Sequence, residues 1–97
     1  MTPEAKVKKQ VTKILNELGA YYFFPATHGY GRAGIPDIIV CFDGRFIAIE
    51  CKAENGKLTK LQQNELDKIY EHGGGAFVIS PAELPMLKTK LLMLKGA

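Results

Sequence analysis

Apolar residues recur along the first part of the chain at helical spacing: Val7, Val11, Ile14, Leu15 and Leu18. Ahead of them, Thr2-Pro3-Glu4 supplies a capping hydroxyl, a proline for the first helical position and an acid for the first turn. Gly19 is placed to end this helix. Ala20 to Phe24 then reads as a short strand stopped by Pro25. The period shifts to two in the middle of the chain, where Ile38-Ile39-Val40-Cys41-Phe42 and Arg45-Phe46-Ile47-Ala48-Ile49 flank Asp43-Gly44. Two such runs around an Asp-Gly pair predict a β-hairpin. Thr59 and Gln62 have the spacing of a capping box, and the helix they open carries Leu61, Leu66, Ile69 and Tyr70 before Gly73-Gly74-Gly75 ends it. Ala76 to Ile79 is a fourth strand. Ser80-Pro81-Ala82-Glu83 repeats the helix-start pattern, and Pro85 marks either a kink or a later true start of the last helix. The order α-β-β-β-α-β-α predicts an α/β domain over residues 1–97, a mixed four-stranded sheet with helices on both faces.

The hairpin fixes a register. With Asp43-Gly44 as a two-residue turn, Phe42 opposes Arg45, and pairing outward from there brings Asp37 opposite Glu50. That pair is of the non-hydrogen-bonded kind, where side chains lie closest. Two carboxylates about 5 Å apart repel unless something positive lies between them. The pleat puts Asp37, Ile39, Cys41, Phe46, Ala48, Glu50 and Lys52 on one face, and Ile38, Val40, Phe42, Ile47, Ile49 and Cys51 on the other. Both faces are largely apolar, so the hairpin is expected to be covered on both sides. An acid pair beside a lysine, at the rim of a buried sheet, has the oxygen ligands that suit a hard divalent cation such as Mg²⁺.

Composition narrows the setting. The 97 residues, 46% hydrophobic and 24% charged, are ordinary for one folded domain. Net charge +3 and a pI near 8.9 permit a polyanionic partner without demanding one. The first residues lack the apolar core of a signal peptide, and no apolar run approaches the roughly 20 residues of a membrane span. The two cysteines fall on opposite hairpin faces, which disfavours a disulfide between them and fits a reducing cytoplasm. Lys6, Lys8, Lys9 and Lys13 lie off the apolar stripe of the first helix, serving equally as a solvated face or as phosphate contacts. Between Pro25 and Gly34 the chain turns polar, glycine-rich and aromatic, with His28, Tyr30 and Arg32 in a loop leading to the acid pair.

Pro36-Asp37, a spacer of twelve residues and Glu50-Cys51-Lys52 resemble the motif of the PD-(D/E)xK nuclease superfamily. More specifically, the chain looks like the virus-type replication-repair nuclease (VRR-NUC) family, from Gly34-Ile35-Pro36-Asp37 through Ile49-Glu50-Cys51-Lys52 and Gly56-Lys57-Leu58-Thr59 to Leu61-Gln62. The resemblance implies a restriction-endonuclease-like core and a metal-dependent DNA endonuclease. It makes Asp37, Glu50 and the backbone carbonyl of Cys51 ligands of Mg²⁺ or Mn²⁺, with Glu4 a further acid near the metal. Lys52 would activate water and stabilise charge, and Gln62 would stand near the site. Cys51 replaces a more usual aliphatic residue, which matters little where only its backbone is used. DNA contacts are expected from His28, Tyr30, Arg32 and Lys57.

The rival reading is a non-catalytic nucleic-acid-binding module that kept the fold, and a third is an ion-pair cluster of Asp37, Glu50 and Lys52 with a structural role. The presence of all three motif residues favours the enzyme. The resemblance further implies action on branched DNA such as four-way junctions, in the cytoplasm of a bacterium or phage-infected cell. Cutting two strands of a symmetric DNA calls for two sites, which a two-fold homodimer supplies. Leu84, Leu87, Leu91 and Leu94 suffice for the core stripe of the last helix, leaving Met86 and Met93 on the opposite side as a possible contact surface.

Overall fold

The computed structural model describes residues 1–26 and 32–94. Its elements run α1 (Pro3–Leu18), β1 (Tyr21–Phe23), β2 (Ile38–Phe42), β3 (Arg45–Cys51), α2 (Lys60–Glu71), β4 (Gly75–Ile79) and α3 (Leu84–Leu94). The sheet has the spatial order β1-β2-β3-β4, the first three strands antiparallel and β4 parallel to β3. A parallel neighbour requires a crossover, and α2 is that crossover. No helix among the described residues is long and apolar enough to cross a membrane.

Local chemistry sets the elements. Thr2 caps α1, its side chain accepting the Ala5 N–H at 3.1 Å, and Gly19 closes the helix in the left-handed region at φ 70°. Asp43 and Gly44 both have positive φ, 53° and 77°, the signature of a type I′ turn. The hairpin register follows from it: Phe42 faces Arg45 and Ile38 faces Ile49, as the sequence predicts. One sheet face joins Ile38, Val40, Phe42, Ile47, Ile49, Cys51 and Ile79 to Val7, Val11 and Leu15 of α1 and to Leu87 and Leu91 of α3. Each of these is buried, so this layer is the main core.

Two features depart from the sequence pattern, and Pro85 resolves an alternative it left open. In α2, Leu61 and Tyr70 are exposed, while Glu65 is buried beside Leu66. Pro85 is the second residue of α3 and marks its late start, since Ser80 to Glu83 form a separate turn in which Glu83 accepts the Ser80 N–H at 2.9 Å. The hairpin is covered on both faces only along the latter part of β3, from Ile47 to Cys51. On β2, Ile39 is half-buried and Cys41 is exposed, because α2 packs over β4 and β3 and leaves the β1–β2 side of that face open.

Gly34 ties the segment before β2 to α2. Its φ is +86°, and a Cβ there would lie 2.5 Å from the backbone carbonyl of Leu61 and 2.8 Å from the Gln62 nitrogen. No side chain fits without moving backbone. Gly34→Ala is therefore expected to destabilise the fold by more than about 1 kcal/mol, read as a lower urea midpoint. An unchanged midpoint would contradict this close approach.

Candidate active site

The β2–β3 ladder ends at Ile38 and Ile49, one pair short of the two acids. Past that end the N–H of Cys51 is taken by a side chain, Oδ2 of Asp37, at 2.8 Å. Asp37 is thus anchored to the strand that carries Glu50 and Lys52. The anchoring separates two acids that charge repulsion alone would treat alike: removing Asp37 also orphans a buried N–H, whereas removing the charge of Glu50 does not.

Glu50 is 2% exposed. Its Oε2 accepts a hydrogen bond from Gln62 Nε2 at 3.1 Å and lies 3.8 Å from the Lys52 ammonium. Its Oε1 is buried without a hydrogen-bond partner. Burial is the largest cause pushing the Glu50 carboxyl up, to about 8; the nearby charge of Asp37 adds to this, Lys52 opposes it, and Glu4 adds a little.

Gln62 is held at both ends. Its Oε1 accepts the Thr59 N–H at 2.9 Å, and Thr59 Oγ1 accepts the Gln62 N–H at 3.1 Å, completing the capping box. With its oxygen so used, the amide nitrogen is left to face Glu50. Capping α2 and reaching the acid are therefore one geometry.

Lys52 is 9% exposed, and its ammonium also lies 4.0 Å from Oε1 of Glu4, brought in by the first turn of α1. The Cys51 thiol belongs to the core on the other sheet face, and burial first, then the charges of Asp37 and Glu50, push it up to about 12. It stays a neutral thiol, so only its backbone is available to the site. Cys41 and Cys51 are both free.

The expected DNA contacts are more dispersed. His28 and Tyr30 lie outside the described residues. Lys57 is exposed in the segment between β3 and α2. Arg32 pairs with Glu65 rather than with Asp37 or Glu50, its Nε 2.5 Å from Oε1. Glu65 was not marked by the sequence pattern. Its one signal is position, one turn after Gln62 on the covered side of α2.

The donor set can be compared with what a cation needs. Among the described residues no group of three His, Cys, Asp or Glu side chains is arranged to hold a metal ion. Two carboxylates and the Cys51 carbonyl fit an ion that uses one or two carboxylates and keeps several waters, as Mg²⁺ does. The partnerless Oε1 of Glu50 is an oxygen such an ion would satisfy.

The raised Glu50 pKa has a consequence for stability. Between its ordinary value of 4.5 and about 8, the folded chain retains a proton that the unfolded chain has released. Stability of the metal-free protein should therefore fall as pH rises through that window. Glu50→Gln should flatten the decline and melt above the parent at about pH 8.5. Thermal melts in EDTA check this, and equal slopes for both proteins would contradict it.

Known domains share this arrangement of elements. A solved structure described as a VRR_NUC domain superposes with a TM-score of 0.71, covering 97% of this chain and 95% of that one, at 23% sequence identity, a likeness of fold. No curated protein matches significantly. The family model for the VRR-NUC domain matches residues 5–82. With that match spanning most of its length, the chain belongs to the VRR-NUC family and is a nuclease-type domain.

Proposed function

We propose that the protein is a metal-dependent DNA endonuclease that hydrolyses phosphodiester bonds at the Asp37–Glu50–Lys52 cluster. The observation that carries this reading is the buried, partnerless Oε1 of Glu50 in a cluster that also holds Asp37 and a lysine ammonium. A cluster serving only as a structural ion pair would be expected to satisfy both carboxylate oxygens.

In this reading Asp37, Glu50 and the Cys51 carbonyl hold Mg²⁺ or Mn²⁺. Such an ion, when bound, polarises a phosphate and lowers the pKa of bound water. The protein's own groups do the rest. Lys52, fixed between Glu50 and Glu4, places positive charge where the phosphate gains negative charge and orients the attacking water. Gln62 holds the Glu50 carboxylate in place through a bond that its own capping role aligns. Glu4 steadies Lys52 from α1, while Arg32 and Lys57 contact the DNA backbone.

The substrate in this reading is branched DNA such as a four-way junction, cut by a two-fold homodimer. One chain carries one such site, and paired cuts in a symmetric DNA need two. The exposed Met86 and Met93 on α3, at 51% and 74%, support a contact surface there, apart from the core stripe.

Cleavage of four-way-junction and linear duplex DNA, with Mg²⁺ or with EDTA, tests the reading. The wild type should cut only with the metal and should prefer the junction. Lys52→Ala should lose about a hundredfold or more in rate while still binding Mn²⁺ in calorimetry. Wild-type rates in Lys52→Ala would end its catalytic assignment. Light scattering should show a dimer that Met86→Glu with Met93→Glu dissociates; a wild-type monomer that still makes paired cuts would refute the dimer.

A further inference from the structure

Strand pairing lines up Tyr21, Cys41 and Phe46 in one row across β1, β2 and β3, and Phe23, Ile39 and Ala48 in the next. Glu50 follows Ala48 on the same face of β3, one row further on, at about 7 Å per row. α2 packs chiefly over β4 and β3, and the aromatic rings of these rows are open: Tyr21 is 68% exposed, Phe23 47% and Phe46 51%. Single exposed apolar residues are ordinary. Three rings on one sheet face, in rows that border a buried catalytic acid, form a patch that calls for a partner.

The cations beside this patch indicate its chemistry. Arg32, Phe46, Glu65, Lys68 and His72 line one cavity of about 330 Å³. Glu65, 6% exposed, holds the Arg32 guanidinium through Nε, while the Arg32 side chain stays 73% exposed. An arginine fixed by a buried carboxylate but open to solvent is pre-organised for an anionic ligand. Rings for stacking next to a fixed guanidinium suit a nucleotide whose base is free of a partner. In a duplex the base faces are already stacked on one another, so only an unpaired strand can use such a surface.

We propose that the open face of the sheet, from Tyr21 and Phe23 to Phe46 and Arg32, is a subsite for an unpaired DNA strand, with bases stacked on the rings and a phosphate on Arg32. This rests on the nuclease reading and adds a substrate feature to it: unpaired nucleotides adjoining the bond to be cut. The open rows border the site rather than run into it, since Ala48, between Phe46 and Glu50 on this face, is fully buried; a strand lying on them ends beside the cluster. A second copy of the chain is the other occupant that an apolar face could take, and it would leave the fixed Arg32 without a ligand of its own.

The test is fluorescence anisotropy with the 97-residue chain in EDTA, where no cleavage occurs, using a labelled oligothymidine of about a dozen nucleotides and a duplex of equal length. Phe46→Ala and Tyr21→Ala, both at exposed positions, should each weaken oligothymidine binding roughly 5- to 100-fold and leave duplex binding nearly unchanged. Arg32→Ala should weaken binding and reduce its salt dependence. Oligothymidine binding equal to wild type in both ring variants overturns the inference. So does a dimer that Phe46→Ala converts to monomers while strand binding per chain is unaltered. Strand binding lost in the ring variants of a chain that never cuts DNA upholds the subsite and retires the nuclease reading. Wild-type cleavage with unaltered strand binding in the variants does the reverse.

Discussion

A carboxyl group taken out of water with one oxygen lacking a hydrogen-bond partner is costly, and it persists only where the surrounding structure leaves it no alternative. Glu50 is in that position. It sits on a central strand, paired with Val78 of β4 and one residue past the end of the β2–β3 ladder, in the part of β3 where both faces are buried. Its neighbours are arranged around the same constraint. Gln62 satisfies one oxygen, Lys52 supplies nearby positive charge, and Asp37, tied to the Cys51 N–H, adds a second acid. The other oxygen is left over.

Holding that cluster requires agreement between segments distant in the chain. The type I′ turn sets the hairpin register and so places Asp37 next along from the last ladder pair. Gly34 lets the approach to Asp37 lie against the first turn of α2, the same turn that carries Gln62. Parallel pairing of β4 to β3 places Val78 beside Glu50, and the Lys52 N–H bonds Ile79 at 2.9 Å, which continues the strand frame past the acid. α1 closes the arrangement by bringing Glu4 to Lys52. Glu50, Gln62 and Glu4 stand on regular elements, and Asp37 and Lys52 lie one residue beyond strand ends, held there by the Cys51 and Lys52 N–H bonds, which suits chemistry that depends on fixed charge.

Much of this was legible from local chemistry. Asp43-Gly44 encodes a turn with only one compatible register, so the pairing from Phe42–Arg45 out to Ile38–Ile49 could be read from the spacing, although the ladder stops one pair short of the acids. Thr59 and Gln62 announce the start of α2, and their side chains turn out to carry Gln62 to Glu50 as well. The non-local features were harder to see. Glu65 on a helix reads as solvated because its partner, Arg32, is 33 residues away. Gly34 looks like any loop glycine until the α2 backbone packs on it. The open face of β1 and β2 was hidden because period-two alternation shows that a face is apolar, not which strands a helix will cover.

The central claim is that the leftover oxygen of Glu50 and the carboxylate of Asp37 form a seat for a hard divalent cation. Crystals soaked in Mn²⁺ and measured for anomalous scattering test it most directly. A peak about 2.0–2.6 Å from a carboxylate oxygen of Asp37 and of Glu50 is the expected result. Crystals with no peak there at saturating Mn²⁺, or with the ion bound only elsewhere, would contradict it.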